Sequence, residues 1–84
     1  MEVNILEQYD IVVYTSDNCQ RSKDLLQWLD HHQLDYKEKN ITADRDYLVE
    51  LQDIGQFGTP TTFVGSQAIL GFQPLRLKQE LNLF

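Results

Sequence analysis

The spacing of apolar residues changes along the chain in a way that predicts strands and helices in turn. Residues 11–14 are β-branched or aromatic with little alternation, as in a strand covered on both faces. The next segment repeats at i, i+3, i+4 and i+7, which predicts a helix with one inward stripe, formed by Leu25, Trp28, Leu29 and His32. Residues 34–41 alternate in part and predict a second strand. It should run parallel to the first because a helix connects them.

A second helix is predicted after this strand. Thr42 is its expected N-cap, because its hydroxyl can accept a bond from a free N–H group of the first turn. Gly55 is the expected stop, since glycine readily adopts the left-handed conformation that ends many helices. The inward face would consist of Tyr47, Leu48, Leu51 and Ile54.

The remaining residues predict a hairpin and a last helix. Gly65-Ser66 lies between two short apolar segments, residues 61–64 and 67–70, and forms a two-residue hairpin connection. Pro74 fits the first position of the last helix, where its missing N–H costs nothing. The buried stripe of that helix would be Leu77, Leu81 and Phe84.

The predicted order is β-α-β-α-β-β-α, an α/β fold with a four-stranded mixed sheet and helices on both faces. At 84 residues the chain is expected to form a single domain, residues 1–84. Residues 1–9 have no clear pattern and are predicted to be an N-terminal extension or a short extra strand.

The net charge and the composition of the chain argue against several classes of function. With 13 acidic and 7 basic residues the net charge is −6, which disfavours nucleic acids and anionic membranes as partners. No apolar run is long enough to span a bilayer, and no secretory signal is visible at the start. A single cysteine indicates a reducing compartment, most simply the cytoplasm. We also expect a monomer.

That cysteine, Cys19, stands where the first strand gives way to the first helix. Free N–H groups and the helix dipole at such a position favour the thiolate, which is the nucleophilic form. A lone cysteine can also be a small buried hydrophobic residue, but its place before a helix favours a reactive role. Ser22 occupies the position that carries the second cysteine of a dithiol site.

Thr59-Pro60 leads directly into the predicted third strand. Proline has no N–H to give to a sheet, so it belongs at the strand entrance. An X-Pro bond in such a turn can be cis, because the penalty is only about 0.5–1 kcal/mol. The cis form would turn the Thr59 backbone outward, toward an extended substrate that carries a thiol.

Residues 11–83 resemble the glutaredoxin family, more closely its small bacterial branch of ribonucleotide-reductase-associated redoxins. The resemblance is carried by Tyr14-Thr15 before Cys19, by Thr59-Pro60, and by Gly71-Phe72-Gln73-Pro74 at the last helix. It implies a thioredoxin-like fold in which Cys19 attacks disulfides. It also implies a substrate groove along Tyr14, Gln56, Phe57, Thr59, Pro60, Gly71 and Phe72.

Several positions depart from the family pattern. Glutathione-binding members generally carry a lysine where Ser16 stands, and often a basic residue at Phe57 and an acid at Gln73. The loss of these charges removes bonds worth about 1.5–3 kcal/mol each, so glutathione binds less favourably than the fold suggests. The iron–sulfur branch uses Cys-Gly-Phe-Ser, which Gln20-Arg21 does not match, and no metal site is expected.

The sequence therefore predicts a monothiol thiol–disulfide oxidoreductase, with Cys19 and Ser22 as catalytic residues. Its substrate would be a protein or small-thiol disulfide. It needs no resident cofactor, but glutathione, another low-molecular-weight thiol or a thiol reductase would resolve the mixed disulfide. Two alternatives stay open: a redox-silent binding module, and a dithiol redoxin in which Ser22 replaced the second cysteine and traps the mixed disulfide.

Overall fold

The computed structural model describes residues 11–83, which form seven elements. The strands are β1 (Ile11–Thr15), β2 (Lys37–Asn40), β3 (Thr61–Val64) and β4 (Gln67–Leu70). The helices are α1 (Gln20–His31), α2 (Arg45–Asp53) and α3 (Pro74–Leu81). Their order along the chain confirms the predicted β-α-β-α-β-β-α succession.

The four strands form one mixed sheet in the order β2-β1-β3-β4. β1 runs parallel to β2, with Val12 opposite Lys37, and antiparallel to β3, with Val12 opposite Phe63. β3 and β4 form an antiparallel hairpin closed by Gly65-Ser66, and Gly65 has the positive φ of +60° that this tight turn requires. The predicted parallel pair, hairpin and fold class are thus confirmed.

Side chains along β1 alternate between the two faces of the sheet. On one face the side chains of Ile11 and Val13 join the main core, whose other members are Leu25, Leu29, Ile69 and Leu77 from α1, β4 and α3. On the other face Tyr14 reaches Glu50 of α2. Helices therefore cover both faces of the sheet, as the apolar pattern predicts.

The ends of the elements differ from the sequence prediction in two places. β2 covers only residues 37–40, while Leu34 and Tyr36 pack against the core from the connection before it. Asp44, not Thr42, caps α2, and its carboxylate accepts the N–H of Asp46 at 3.0 Å. Because α2 begins at Arg45, Asp44 is the residue directly before the helix, and the Thr42 hydroxyl instead accepts the N–H of Asp17.

The prediction that Ile54 lies on the inward face of α2 is wrong, because this residue is 49% exposed. α2 ends at Asp53, so Ile54 is the C-cap and has left the helical stripe. Gly55 follows with φ +86° and ends the helix as predicted. Pro74 occupies the start of α3, and Leu77 is fully buried.

Phe84 and the segment 1–9 lie outside the described residues. Within residues 11–83 the helices are too short and too polar to cross a bilayer.

Candidate active site

Cys19 is the N-cap of α1. Asn18, directly before it, has φ +59°, a left-handed conformation that asparagine tolerates, and this residue turns the chain from β1 into the helix. The Cys19 carbonyl accepts the Lys23 N–H at 3.2 Å, so the helix starts at once behind the thiol. The Cys19 side chain is partly buried at the end of the helix where N–H groups are free.

The surroundings of Cys19 favour its ionised form. The Ser22 hydroxyl has the largest influence and lowers the pKa of the thiol, while burial partly opposes it. Smaller contributions come from the Ser22 N–H, from Thr59 and from the Arg21 N–H. Arg21 and Ser22 belong to the first turn of α1, so N–H groups at the helix start contribute to the lowered pKa of the thiol.

Ser22 lies one turn along α1 from Cys19 and is only 2% exposed. Its Oγ has no hydrogen-bond partner among the described residues. A buried hydroxyl without a partner costs about 1–3 kcal/mol. Ionisation of Cys19 offers this hydroxyl an acceptor, because the thiolate is a stronger acceptor than the thiol. The orphaned hydroxyl and the lowered pKa of Cys19 thus have one explanation.

The Thr59-Pro60 bond is cis, and the loop that contains it lies against Cys19. The Cys19 Sγ is 3.8 Å from the Thr59 carbonyl oxygen, and the Thr59 and Ser16 hydroxyls are 2.7 Å apart. Gly71 N–H donates to the Pro60 carbonyl at 2.8 Å. The fold therefore brings the cysteine, the proline loop and the glycine before α3 into one site.

A second loop supports the segment before the thiol. The Asn40 amide donates to the Asp17 carboxylate at 3.1 Å, and the Asn40 side-chain oxygen accepts the N–H groups of Thr42 and Ala43. An open polar cavity of about 370 Å³ lies between the start of α1 and the end of β2. Sequence reasoning missed Asn40, because no local pattern reveals a contact between residues 17 and 40.

Tyr14, predicted to bind substrate, has its hydroxyl on the α2 side of the sheet. It donates to the Glu50 carboxylate at 2.6 Å, which also accepts from Lys39 Nζ at 2.5 Å. Burial and the bond to Glu50 raise the pKa of Tyr14 to about 12. These contacts show how Tyr14 joins α2 to the sheet; its role toward substrate stays a prediction.

The other predicted groove residues differ in exposure. Phe57 is 79% exposed, whereas Gln56 is partly buried and Phe72 packs against the core. Gly71 has φ +78°, a conformation that a side chain would strain. The Gln73 amide donates to the Leu70 carbonyl at 2.6 Å, which fixes the start of α3 to the end of β4.

Metal ligands do not gather at this site. Among residues 11–83 no group of three or more His, Cys, Asp or Glu side chains could hold a metal ion. His32 lies at the far end of α1, where its Nδ1 is 2.9 Å from the Trp28 carbonyl oxygen and its ring stacks on the indole at 4.1 Å.

Known proteins with related sequences and structures match most of the chain. The glutaredoxin-like protein NrdH of Lactococcus lactis subsp. cremoris is 27% identical over 67 residues, which are 80% of this chain and 93% of that protein. A mutant of the thioredoxin-like protein BC3987 has a TM-score of 0.84 at 28% identity, covering 89% of this chain and 97% of the other. The NrdH-redoxin of Escherichia coli has a TM-score of 0.72 at 19% identity, covering 88% and 93%, and supports the fold alone.

The family model for glutaredoxin matches residues 11–69, from the first residue of β1 to the last strand. This range contains the thiol, the serine one turn after it and the proline loop. The match confirms the resemblance seen in the sequence and indicates thiol–disulfide redox chemistry as the general function. With its thioredoxin-like fold and its cysteine at the start of α1, the chain belongs to the glutaredoxin family.

Proposed function

We propose that this glutaredoxin-family protein performs thiol–disulfide exchange with Cys19 as its one nucleophile, and that Ser22 assists by hydrogen bonding instead of by a second thiol. The observation that carries the proposal is the buried Ser22 hydroxyl, one turn from the sulfur, without a partner among the described residues. A hydroxyl in this place can stabilise a thiolate, but it cannot displace a bound substrate.

The first step is attack of the Cys19 thiolate on one sulfur of a disulfide. A new bond forms between Cys19 and that sulfur, the substrate disulfide breaks, and the second sulfur leaves as a thiolate that takes a proton from water. The Cys19 sulfur is oxidised as the leaving sulfur is reduced, so the step balances without a cofactor. The Thr59 carbonyl lies 3.8 Å from the attacking sulfur and borders the approach to it.

The second step needs a thiol from outside. Its thiolate attacks the sulfur of the bound substrate or that of Cys19, and a low-molecular-weight thiol or the dithiol of a reductase would supply it. When Cys19 is the leaving group, the Ser22 hydroxyl stabilises the departing thiolate. The same hydrogen bond therefore assists both halves of the cycle.

Intact mass measurements test this scheme. The protein is mixed with a disulfide of a cysteine peptide and 2-thiopyridine, which is expected to give one stable peptide adduct on Cys19. Adding a small thiol should remove the adduct, and Cys19→Ser should form none. If the wild-type protein forms no adduct faster than free cysteine does, the proposed oxidoreductase is wrong and a redox-silent binding module is the better account.

Ser22→Cys is the matched variant for the missing resolving thiol. The small and buried Ser22 site accepts a sulfur with little change in volume, one turn from Cys19. The variant should release the peptide without added thiol and form an internal disulfide, which lowers the mass by the two hydrogens lost. A stable adduct on this variant would show that position 22 does not control resolution.

A further inference from the structure

Asn40, the last residue of β2, uses its side chain in three hydrogen bonds. Its Oδ1 accepts the Thr42 N–H at 2.8 Å and the Ala43 N–H at 3.0 Å. Its Nδ2 donates to Asp17 Oδ1 at 3.1 Å. A carboxylate could accept the first two bonds, but it has no donor for the third, which an amide supplies. The amide group at position 40 is therefore needed for its bond to Asp17.

Asp17 carries a negative charge close to the nucleophile along the chain. It stands two residues before Cys19, the N-cap of α1. The free N–H groups at the start of a helix attract carboxylates as well as thiolates, since both are anions. A carboxylate that turned toward Cys19 would also repel the thiolate directly. The placement of this side chain thus bears on how easily the thiol ionises.

The structure directs Asp17 toward β2 instead. Its backbone N–H donates to the Thr42 hydroxyl at 3.0 Å, and its carboxylate accepts the Asn40 amide. Both bonds tie residue 17 to the segment 40–42 at the end of β2. Among the influences of the described residues on the pKa of Cys19, only burial raises it, and the Asp17 charge is not one of them.

Other charged side chains around the start of α1 come from three segments: Asp17 from the loop, Arg21, Lys23 and Asp24 from α1, and Glu38 from β2. The two carboxylates outside the loop have partners of their own. Glu38 accepts the Thr15 hydroxyl at 2.8 Å, and Asp24 accepts the Gln20 amide at 2.9 Å. Residues 54–75, which include the proline loop, contain no charged residue. Asp17 is thus the carboxylate nearest to Cys19 in sequence, and Asn40 is its partner.

We infer that Asn40 is a positioning residue for thiol–disulfide exchange, because its amide holds the Asp17 carboxylate at the end of β2 and leaves the N–H groups at the start of α1 to the Cys19 thiolate. This inference rests on the proposed function, since the placement of a carboxylate matters only if Cys19 reacts as a thiolate. Without the amide, the carboxylate is free to approach α1, where it competes for these N–H groups and repels the sulfur.

An exchange of the amide and the carboxylate tests this role. Asn40→Asp keeps an acceptor for the N–H groups of residues 42 and 43 but replaces the donor to Asp17 by a second carboxylate. The midpoint of Cys19 alkylation by iodoacetamide against pH should then rise by about 0.5 pH unit, as expected for a like charge near a partly exposed group. Asn40→Asp combined with Asp17→Asn restores an amide–carboxylate pair at the same net charge, and the midpoint should return to the wild-type value.

Further variants isolate the contribution of the Asp17 charge. Asp17→Asn alone should leave the midpoint unchanged, because the carboxylate that it removes is already held away from the thiol. Asn40→Ala removes the amide without adding a charge, so it should raise the midpoint, and Asp17→Asn should cancel this rise. Gln52→Glu is the matched control for an added charge, since Gln52 is exposed on α2, and it should have no effect. Circular dichroism checks the fold of each variant.

Exchange rates with a substrate panel show whether Asn40 acts on the thiol or on substrate binding. The panel consists of thiopyridyl disulfides of cysteine peptides of equal length, flanked by Leu and Ala (the apolar peptide), by Glu, or by Lys. Release of thiopyridone is followed by absorbance at about 0.15 M salt, where screening limits long-range effects to about 8 Å. Below the midpoint, Asn40→Ala should slow exchange with all three peptides by the same factor of about two, because the smaller ionised fraction outweighs the higher nucleophilicity of a more basic thiolate.

An unchanged midpoint in Asn40→Asp and Asn40→Ala would overturn this inference. So would a raised midpoint that Asp17→Asn does not restore, or a lower midpoint in Asp17→Asn alone, because Asp17 would then already act on the thiol in the wild type. A wild-type midpoint at or above about 8.5, together with no peptide adduct on Cys19, would instead reject the proposed function.

Discussion

The two sides of Cys19 differ in chemistry. On one side the start of α1 and the end of β2 present charged and polar groups, among them Asp17, Lys23 and Glu38 around an open cavity. On the other side residues 54–75 are uncharged and expose Phe57 and Leu70. The helix side contains the hydroxyl that lowers the pKa of the thiol, and the uncharged side contains the exposed apolar groups.

This difference predicts that reactivity and the choice of substrate depend on different residues. A substitution on the helix side should change the rate with every disulfide by the same factor and move the pH profile. A substitution on the uncharged side should change the ranking of substrates and leave the pH profile in place.

The largest effect is expected at the residue that both sides share. Cys19→Ser should abolish exchange with all disulfides, because a serine hydroxyl is not ionised near neutral pH. Stopped-flow absorbance with the thiopyridyl peptides measures it, and circular dichroism should show an unchanged fold. Residual exchange at the wild-type rate would mean that the assignment of the nucleophile is wrong.

Ser22→Ala should slow exchange about tenfold at neutral pH, since a hydrogen bond to a charged group contributes about 1.5–3 kcal/mol. The pKa of Cys19 should rise, and the ratio of rates between apolar and charged substrates should stay constant. Iodoacetamide alkylation against pH, together with the substrate panel, gives both results. A changed ratio would show that the helix side also takes part in recognition.

Phe57→Ser should lower the rate with the apolar peptide several-fold, because about 79% of its side chain is available for contact. The pH at half-maximal alkylation of Cys19 should not move, since Phe57 does not contribute to the lowered pKa of the thiol. The same two assays apply. A shift of the alkylation midpoint would show that Phe57 also influences the ionisation of Cys19.

Tyr14→Phe should have the smallest effect on exchange and cost about 1.5 kcal/mol of unfolding free energy, from the lost bond to the Glu50 carboxylate. Because the pKa of Tyr14 is raised to about 12, the native state retains a proton that the unfolded state loses near pH 10. This stabilisation is complete below pH 10 and is lost as the pH rises toward 12.

Urea unfolding of the wild type and Tyr14→Phe between pH 8 and 12 measures this loss. The difference in stability between the two proteins should shrink above pH 10. A difference that is independent of pH would show that the Tyr14–Glu50 bond does not hold the proton.

The sequence predicts helix ends and turns well where a single residue has a strong backbone preference. Gly65-Ser66 gives the hairpin, Pro74 starts α3 and Gly55 ends α2. The prediction is wrong where two nearby residues are both of a type that can cap a helix. Thr42 was expected to be the N-cap of α2, but Asp44 occupies that position. Ile54 fits the helical spacing, but α2 ends one residue earlier and turns it outward.

The candidate site also has features that the sequence predicts and features that only the fold creates. Cys19, Ser22 and Pro60 are visible as a pattern, because a helix start and a proline at a strand entrance are local features. The 2.7 Å contact between the Ser16 and Thr59 hydroxyls joins residues 43 positions apart, and only the fold brings them together. The raised pKa of Tyr14 likewise depends on Glu50, which lies 36 positions away on another element.

The pH dependence of Cys19 alkylation by iodoacetamide measures whether the Ser22 hydroxyl stabilises the thiolate, because the reaction rate follows ionisation of the thiol. We expect a midpoint below the value of about 8.5 for a free cysteine, and a higher midpoint in Ser22→Ala. A wild-type midpoint at or above about 8.5, unchanged by Ser22→Ala, would contradict this role of Ser22.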